Sequence, residues 1–161
     1  MKRLITILTI LVLITGCNEP KATESLTADT PGFVLSDGNV EVKIGEDGAL
    51  LSLVNKETGH NYASGEGLWR MFYNTHEEKE MQIDGTENTP AVSQEGDVIT
   101  IAYKNLVHRG KTLRMDLTLT VEVEDGAVRF GSVVSHNEPG TILPELQYPP
   151  VGTLRLPEGQ T

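Results

Sequence analysis

Seven residues between positions 69 and 78 carry side chains suited to holding a sugar: Trp69, Arg70, Phe72, Tyr73, His76, Glu77 and Glu78. An aromatic face stacks on a pyranose ring while guanidinium and carboxylate groups bond its hydroxyls. Trp69, Arg70, Tyr73, His76 and Glu77 are therefore the candidate ligand-binding set. The competing reading is structural: Trp69, Met71 and Tyr73 alternate, so on a strand they would share one face and fill a core. An aromatic content of 5% argues against a broad sugar platform. His60, His76, His108 and His136 are scattered and show no metal spacing such as His-Glu-x-x-His. Glu77-Glu78 and Glu122/Glu124 could be imagined as the paired carboxylates of glycoside hydrolysis. Adjacent strand residues point apart, however, and Glu122 and Glu124 belong to a regular wet face. No Gly-x-Ser-x-Gly, phosphate loop or dinucleotide fingerprint occurs. Neither catalytic residues nor a cofactor are expected, and activity of the chain on its own is not.

The one cysteine, Cys17, ends a stretch of different character. Lys2 and Arg3 precede an apolar run, Leu4–Ile14, broken only by Thr6 and Thr9, and Thr15-Gly16 close it. Charge, apolar core and small-residue site in that order make a secretory signal. Eleven residues rising about 1.5 Å each cover roughly 16 Å, too short for a bilayer core of about 30 Å. A core helix would show a polar face, and this run has none. Leu13-Ile14-Thr15-Gly16-Cys17 resembles the lipobox of bacterial lipoproteins, which implies lipidation of Cys17 and cleavage before it; an unlipidated secretory signal is the alternative. Lipidation implies a membrane partner through the anchor and a place in the cell envelope, on the outer membrane in a Gram-negative cell. A lipidated Cys17 also leaves the folded part without a thiol, which excludes disulfides and a cysteine nucleophile.

Removing Met1–Gly16 from 161 residues leaves 145, the size of one domain. Without Lys2 and Arg3 the 13 basic residues become 11 against 23 acidic ones, a net charge of −12. That sign repels phosphate backbones, so nucleic acid is not an expected partner. Residues 18–32 are polar, hold Pro20 and Pro31 and lack hydrophobic period, as a tether does. The expected division is thus 1–16 signal, 17–32 lipidated cysteine and tether, and 33–161 folded domain.

From Phe33 the pattern is that of strands. Val40, Val42 and Ile44 alternate with charge, and Glu46-Asp47-Gly48 turns the chain into 49–54. Residues 98–103 are apolar on both faces, which predicts a central strand. Over 112–124, Leu113, Met115, Leu117, Leu119, Val121 and Val123 share one face. Asp125-Gly126 then turns into 127–135, predicting a long hairpin with one wet face. Segment 68–73 suits a helical turn or a strand, and 77–80 a helical turn. Pro144, Pro149 and Pro150 restrict any strand near 142–150 to an edge or a short piece. The fold class expected is an all-β antiparallel sandwich.

One hairpin narrows this further. Asp47-Gly48-Ala49-Leu50-Leu51-Ser52-Leu53-Val54-Asn55-Lys56-Glu57-Thr58-Gly59-His60-Asn61-Tyr62 resembles a hairpin of N-terminal, galactose-mutarotase-like "supersandwich" domains. These precede a (β/α)₈ barrel in many bacterial glycoside hydrolases and related lipoproteins. Leu68-Trp69-Arg70 and Pro144–Pro149 fit such domains loosely. The resemblance implies a lipid-anchored accessory domain associated with carbohydrate. A barrel needs about 250 residues, so none lies within this chain. Core-type residues at 142–150, followed by 151–161 without a completed pattern, suggest the front part of a longer protein; a solo sandwich would look the same. The alternative function is a structural or protein-interaction lipoprotein of the envelope, pairing through an open sheet edge.

Overall fold

The computed structural model describes residues 31–64 and 67–150. The signal, Cys17, residues 18–30 of the tether and the terminal 151–161 lie outside the described residues. Strand formation begins at Gly32, one residue before the expected boundary.

Sequence alternation becomes sheet in three larger places, beside one small two-stranded hairpin over residues 107–112. The first sheet has the order β1 (Gly32–Ser36), β2 (Val40–Gly45), β3 (Leu50–Asn55). Its turns are made by side chains standing in for backbone acceptors. Asp37 accepts from the N–H groups of Asn39 and Val40, both at 2.8 Å. Asn55 accepts from those of Glu57 and Thr58, and Gly59 closes that turn at φ +70°. Asn61 then bonds the backbone of Leu53 and Ala63, laying the chain back along β3.

The remaining strands are β4 (Arg70–Asn74), β5 (Met81–Asp84), β6 (Ala91–Glu95), β7 (Val98–Tyr103), β8 (Val107–His108), β9 (Lys111–Thr112), β10 (Met115–Glu124), β11 (Ala127–His136) and β12 (Ile142–Gln147). A four-stranded antiparallel sheet runs β11-β10-β7-β6. β7 is central, as its sequence requires, with β10 on one side and β6 on the other. β10 and β11 pair through ten consecutive residues without a slip, joined by Asp125 (φ 52°) and Gly126 (φ 76°). Two successive positive φ values match the twist of a two-residue hairpin. Met115, Leu117, Leu119 and Val121 are fully buried, with Ile99, Ile101 and Tyr103 beside them. Asp116, Thr118, Thr120 and Glu122 form the wetter face.

The expected strand over 112–124 is interrupted at Leu113-Arg114. Leu113 donates to the Leu106 carbonyl, and Leu106 donates to that of Met115, so this stretch pairs with a neighbouring loop instead. Segment 68–73 resolves to strand from Arg70 onward, with a bend at Leu68 leading into it. Residues 77–80 form no helical turn, because the Thr75 hydroxyl accepts from the N–H groups of Glu77 and Glu78 and bends the chain instead. The one described helical piece is a single 3₁₀ turn, Gly85–Glu87.

The third sheet, β12-β4-β5, is short and irregular. Its edge strand β12 contains Pro144, and the register slips between Ile142 and Glu145, the bulged edge position where a residue without N–H is tolerated. Both three-stranded sheets meet the apolar face of the four-stranded one. Gly126 N–H donates to the Asp37 carboxylate at 2.6 Å, tying the first sheet to the long hairpin. The Tyr148 hydroxyl donates to the Thr120 carbonyl, and its ring sits edge-on to Phe130, tying in the third. The protein is an all-β, sandwich-like antiparallel fold.

Candidate functional site

β4 and its flanking residues position the sugar-type cluster, and the length of the strand divides it. Trp69, Met71 and Tyr73 turn into the core, Trp69 with 1% of its surface exposed, while Arg70 and Phe72 face the other way. The two ends of the strand open into different hollows. Trp69 and Arg70 line one, of about 430 Å³. Tyr73, His76 and Glu77 line the other, of about 380 Å³. Both volumes fall in the ordinary range for small-molecule pockets, roughly 300–1,000 Å³. At about 3.3 Å per residue, the strand's ends at Arg70 and Asn74 stand ~13 Å apart. The five candidate residues are thus two sets.

The hollow at the start of β4 has an aromatic floor. Trp69 and Tyr103 meet edge-to-face at 5.1 Å between ring centroids. The Trp69 indole N–H is buried without a hydrogen bond of good geometry, although the Tyr103 hydroxyl stands close enough to feel its dipole. An unsatisfied buried donor costs about 1–3 kcal/mol. Burial pushes the Tyr103 hydroxyl above the usual phenol range; the indole pulls it back and Asp47 pushes it further. The wall comes from the β2–β3 turn, where Gly48 has φ +79° and a Cβ would come within 2.8 Å of the Tyr103 oxygen. Only glycine lets that turn approach so closely.

Asp84, at the end of β5, supplies the acceptor. Its carboxylate receives the backbone N–H of Thr86 at 2.9 Å and the Thr86 hydroxyl as well. Burial pushes this carboxyl up, but the Thr86 bonds, the Gln82 side chain and the Arg70 guanidinium outweigh that and hold it below the usual range. The result is an ionised acceptor with a cation opposite it on the neighbouring strand, beside two buried aromatic rings, an arrangement able to bond a polyhydroxylated ligand.

The hollow at the far end of β4 is built from loop tips. Tyr73 and Leu113 are its buried apolar floor, and the His108 ring stands edge-on to Tyr73 at 5.6 Å. Arg109 and Gly110 make the β8–β9 turn with positive φ at both positions, a strained conformation for Arg. Glu87 accepts the Arg109 N–H at 2.9 Å and braces it. Across the mouth, Arg109 pairs with Glu78 at 3.2 Å and Lys111 with Glu138 at 3.6 Å. Glu138 also takes the Arg114 N–H, chiefly for which reason its carboxyl lies below the usual range. Burial raises the Tyr73 hydroxyl, with Arg109 opposing and Glu78 and Glu138 adding to the rise. His108 Nε2 and Thr141 Oγ1 are buried and unpartnered.

Sequence reasoning missed Asp84, Thr86 and Tyr103 on one side and His108, Arg109 and Thr141 on the other. Asp84-Gly85 reads as ordinary turn chemistry, and its partners arrive from segments far away in sequence. The available signal was the basic turn His108-Arg109-Gly110-Lys111 in an acidic chain. Among the described residues no three of His, Cys, Asp and Glu gather closely enough to hold a metal ion, and no helix is long and apolar enough to cross a membrane. No known protein-family model matches the chain, and a search of curated proteins finds no match.

Proposed function

We propose that the chain is an exported, lipid-anchored, non-catalytic sandwich domain that binds carbohydrate in the hollow at the start of β4. The observation that carries this reading is the juxtaposition of the Trp69–Tyr103 pair with Arg70 and the ionised Asp84 around about 430 Å³ of open space. The almost wholly buried Trp69 and Tyr103 form the base that shapes the hollow; Asp84 accepts from, and Arg70 donates to, sugar hydroxyls above it. The finer fold reading, a mutarotase-like supersandwich, belongs to this proposal and rests on the hairpin at 47–62. Export rests on the Lys2–Cys17 pattern.

A glycan panel probed with the full chain tests the binding claim. At least one neutral glycan should be retained, and Arg70→Ala should weaken it tenfold or more. A blank panel sinks the reading. Anchoring has its own check: Cys17→Ala should abolish incorporation of labelled palmitate, and undiminished labelling would end the lipoprotein assignment.

A second reading, an envelope interaction protein, has one observation in its favour. β11 pairs only with β10 among the described residues and leaves Val133 67% exposed on a ten-residue edge strand. Such edges recruit other strands unless blunted. A monomer across a concentration series in size exclusion would count against it.

A further inference from the structure

We propose that the hollow at the far end of β4 is a second and separate binding site, for a small zwitterion of the amino-acid or dipeptide class. Two hairpin tips and a loop that crosses between sheets meet there, and their charges alternate in space. The β8–β9 turn brings Arg109 and Lys111 between a β4–β5 loop bearing Glu78 and a β11–β12 loop bearing Glu138. A free anion entering this mouth meets two carboxylates, and a free cation meets two basic side chains. A molecule carrying both charges can exchange partners with the existing pairs, its carboxylate going to Arg109 and Lys111 and its ammonium to Glu78 and Glu138. Net charge at the mouth is then unchanged.

The pairs are suited to such an exchange. Arg109 and Glu78 are each more than half exposed, and exposed ion pairs hold together weakly; the exposed Lys111 stands 3.6 Å from Glu138, which is largely covered and anchored by the Arg114 N–H. Behind the mouth, Tyr73 and Leu113 supply an apolar floor for a side chain. His108 Nε2 and Thr141 Oγ1, both buried without a partner, belong to residues that line the space and are themselves only partly buried. Unsatisfied buried polar atoms call for an explanation. Two at the lining of one hollow are accounted for by a polar ligand that turns them inward.

The test is calorimetric titration of the full chain with four related probes: L-leucine, L-alanyl-L-leucine, N-acetyl-leucine and leucinamide. The last two each lack one charge. At least one zwitterion should bind, with tenfold or greater preference over both blocked analogues, and the His108 imidazole nitrogen resonances should shift on its addition. Arg109→Gln should weaken the zwitterion tenfold or more. Thr141→Val keeps the shape of its side chain, so it serves as a second variant that is not expected to disturb folding, and it too should weaken binding. Equal binding of the blocked analogues, no binding by either zwitterion, or binding that leaves His108 unmoved would each overturn the proposal.

Discussion

The four-stranded sheet and the β12-β4-β5 sheet solve the same burial problem in opposite ways. In the former, β10 and β11 run ten residues in unbroken register, and every inward residue of β10 from Met115 to Val121 is fully buried. In the latter, strands are four to six residues long and β12 slips at Pro144. The difference extends to polar groups. The three buried, unpartnered side-chain atoms found among the described residues are Trp69 Nε1, His108 Nε2 and Thr141 Oγ1, and each lies at one of the two hollows beside β4. Regularity provides stability here, and departures from it collect where ligands could be held.

That contrast can be broken by substitution. Leu117→Ala, in the regular sheet, should lower the free energy of unfolding by about 2–5 kcal/mol in urea titration. A loss below about 1 kcal/mol would mean the four-stranded sheet is not the rigid half. Gly126→Ala should cost more than Gly110→Ala, although both glycines have positive φ. The backbone penalty of about 1–2 kcal/mol is shared. At Gly126 a Cβ would also come within 2.7 Å of Asn39 Nδ2, whereas at Gly110 it meets nothing within 4 Å. Equal costs would show that the Asp37–Asn39 turn yields freely.

Acid should loosen the regular half through two carboxylates. Hydrogen bonds from Val40 and Asn39, and then from Gly126, hold Asp37 below the usual range; the Asn105 N–H and Lys104 do the same for Asp116. A folded-state pKa below the unfolded one contributes stability that is complete above the unfolded value and drains as pH falls toward the folded value. The midpoint of thermal unfolding should therefore hold steady above the ordinary Asp value of 3.8 and fall below it. Asp37→Asn should flatten that fall, and an unchanged slope would contradict the assignment. The smallest stability effect is expected at the irregular sheet: Asp84→Asn should shift unfolding by less than about 1 kcal/mol, since the amide oxygen still accepts from Thr86, yet reduce glycan retention tenfold.

The regular half was legible in the sequence because alternation is a local signal. Leu113 through Val123 announces its own face, and Asp125-Gly126 its own turn. Asn55 and Gly59 likewise carry their turn in their chemistry. β5 and β6 were not legible as strands, because short edge segments with half-exposed residues lack a pattern long enough to read; at β12 the prolines allowed only the edge strand that forms. The site was half legible. Trp69, Arg70, Tyr73, His76 and Glu77 were singled out by type, but their places at opposite ends of β4 assign them to two hollows. Their true neighbours, Asp84 and Tyr103 at one end and His108, Arg109 and Thr141 at the other, arrive by tertiary folding that no spacing encodes. The break at Leu113-Arg114 was missed for the same reason, since its partner is the Leu106 carbonyl.

Trp69 is the chain's single tryptophan, so its indole N–H gives one resolved cross-peak in a ¹H–¹⁵N spectrum. Adding the glycan selected by the panel should move that peak in a saturable way, and the movement should vanish in Asp84→Asn. A glycan that binds while the Trp69 peak stays fixed would place recognition elsewhere and contradict the account.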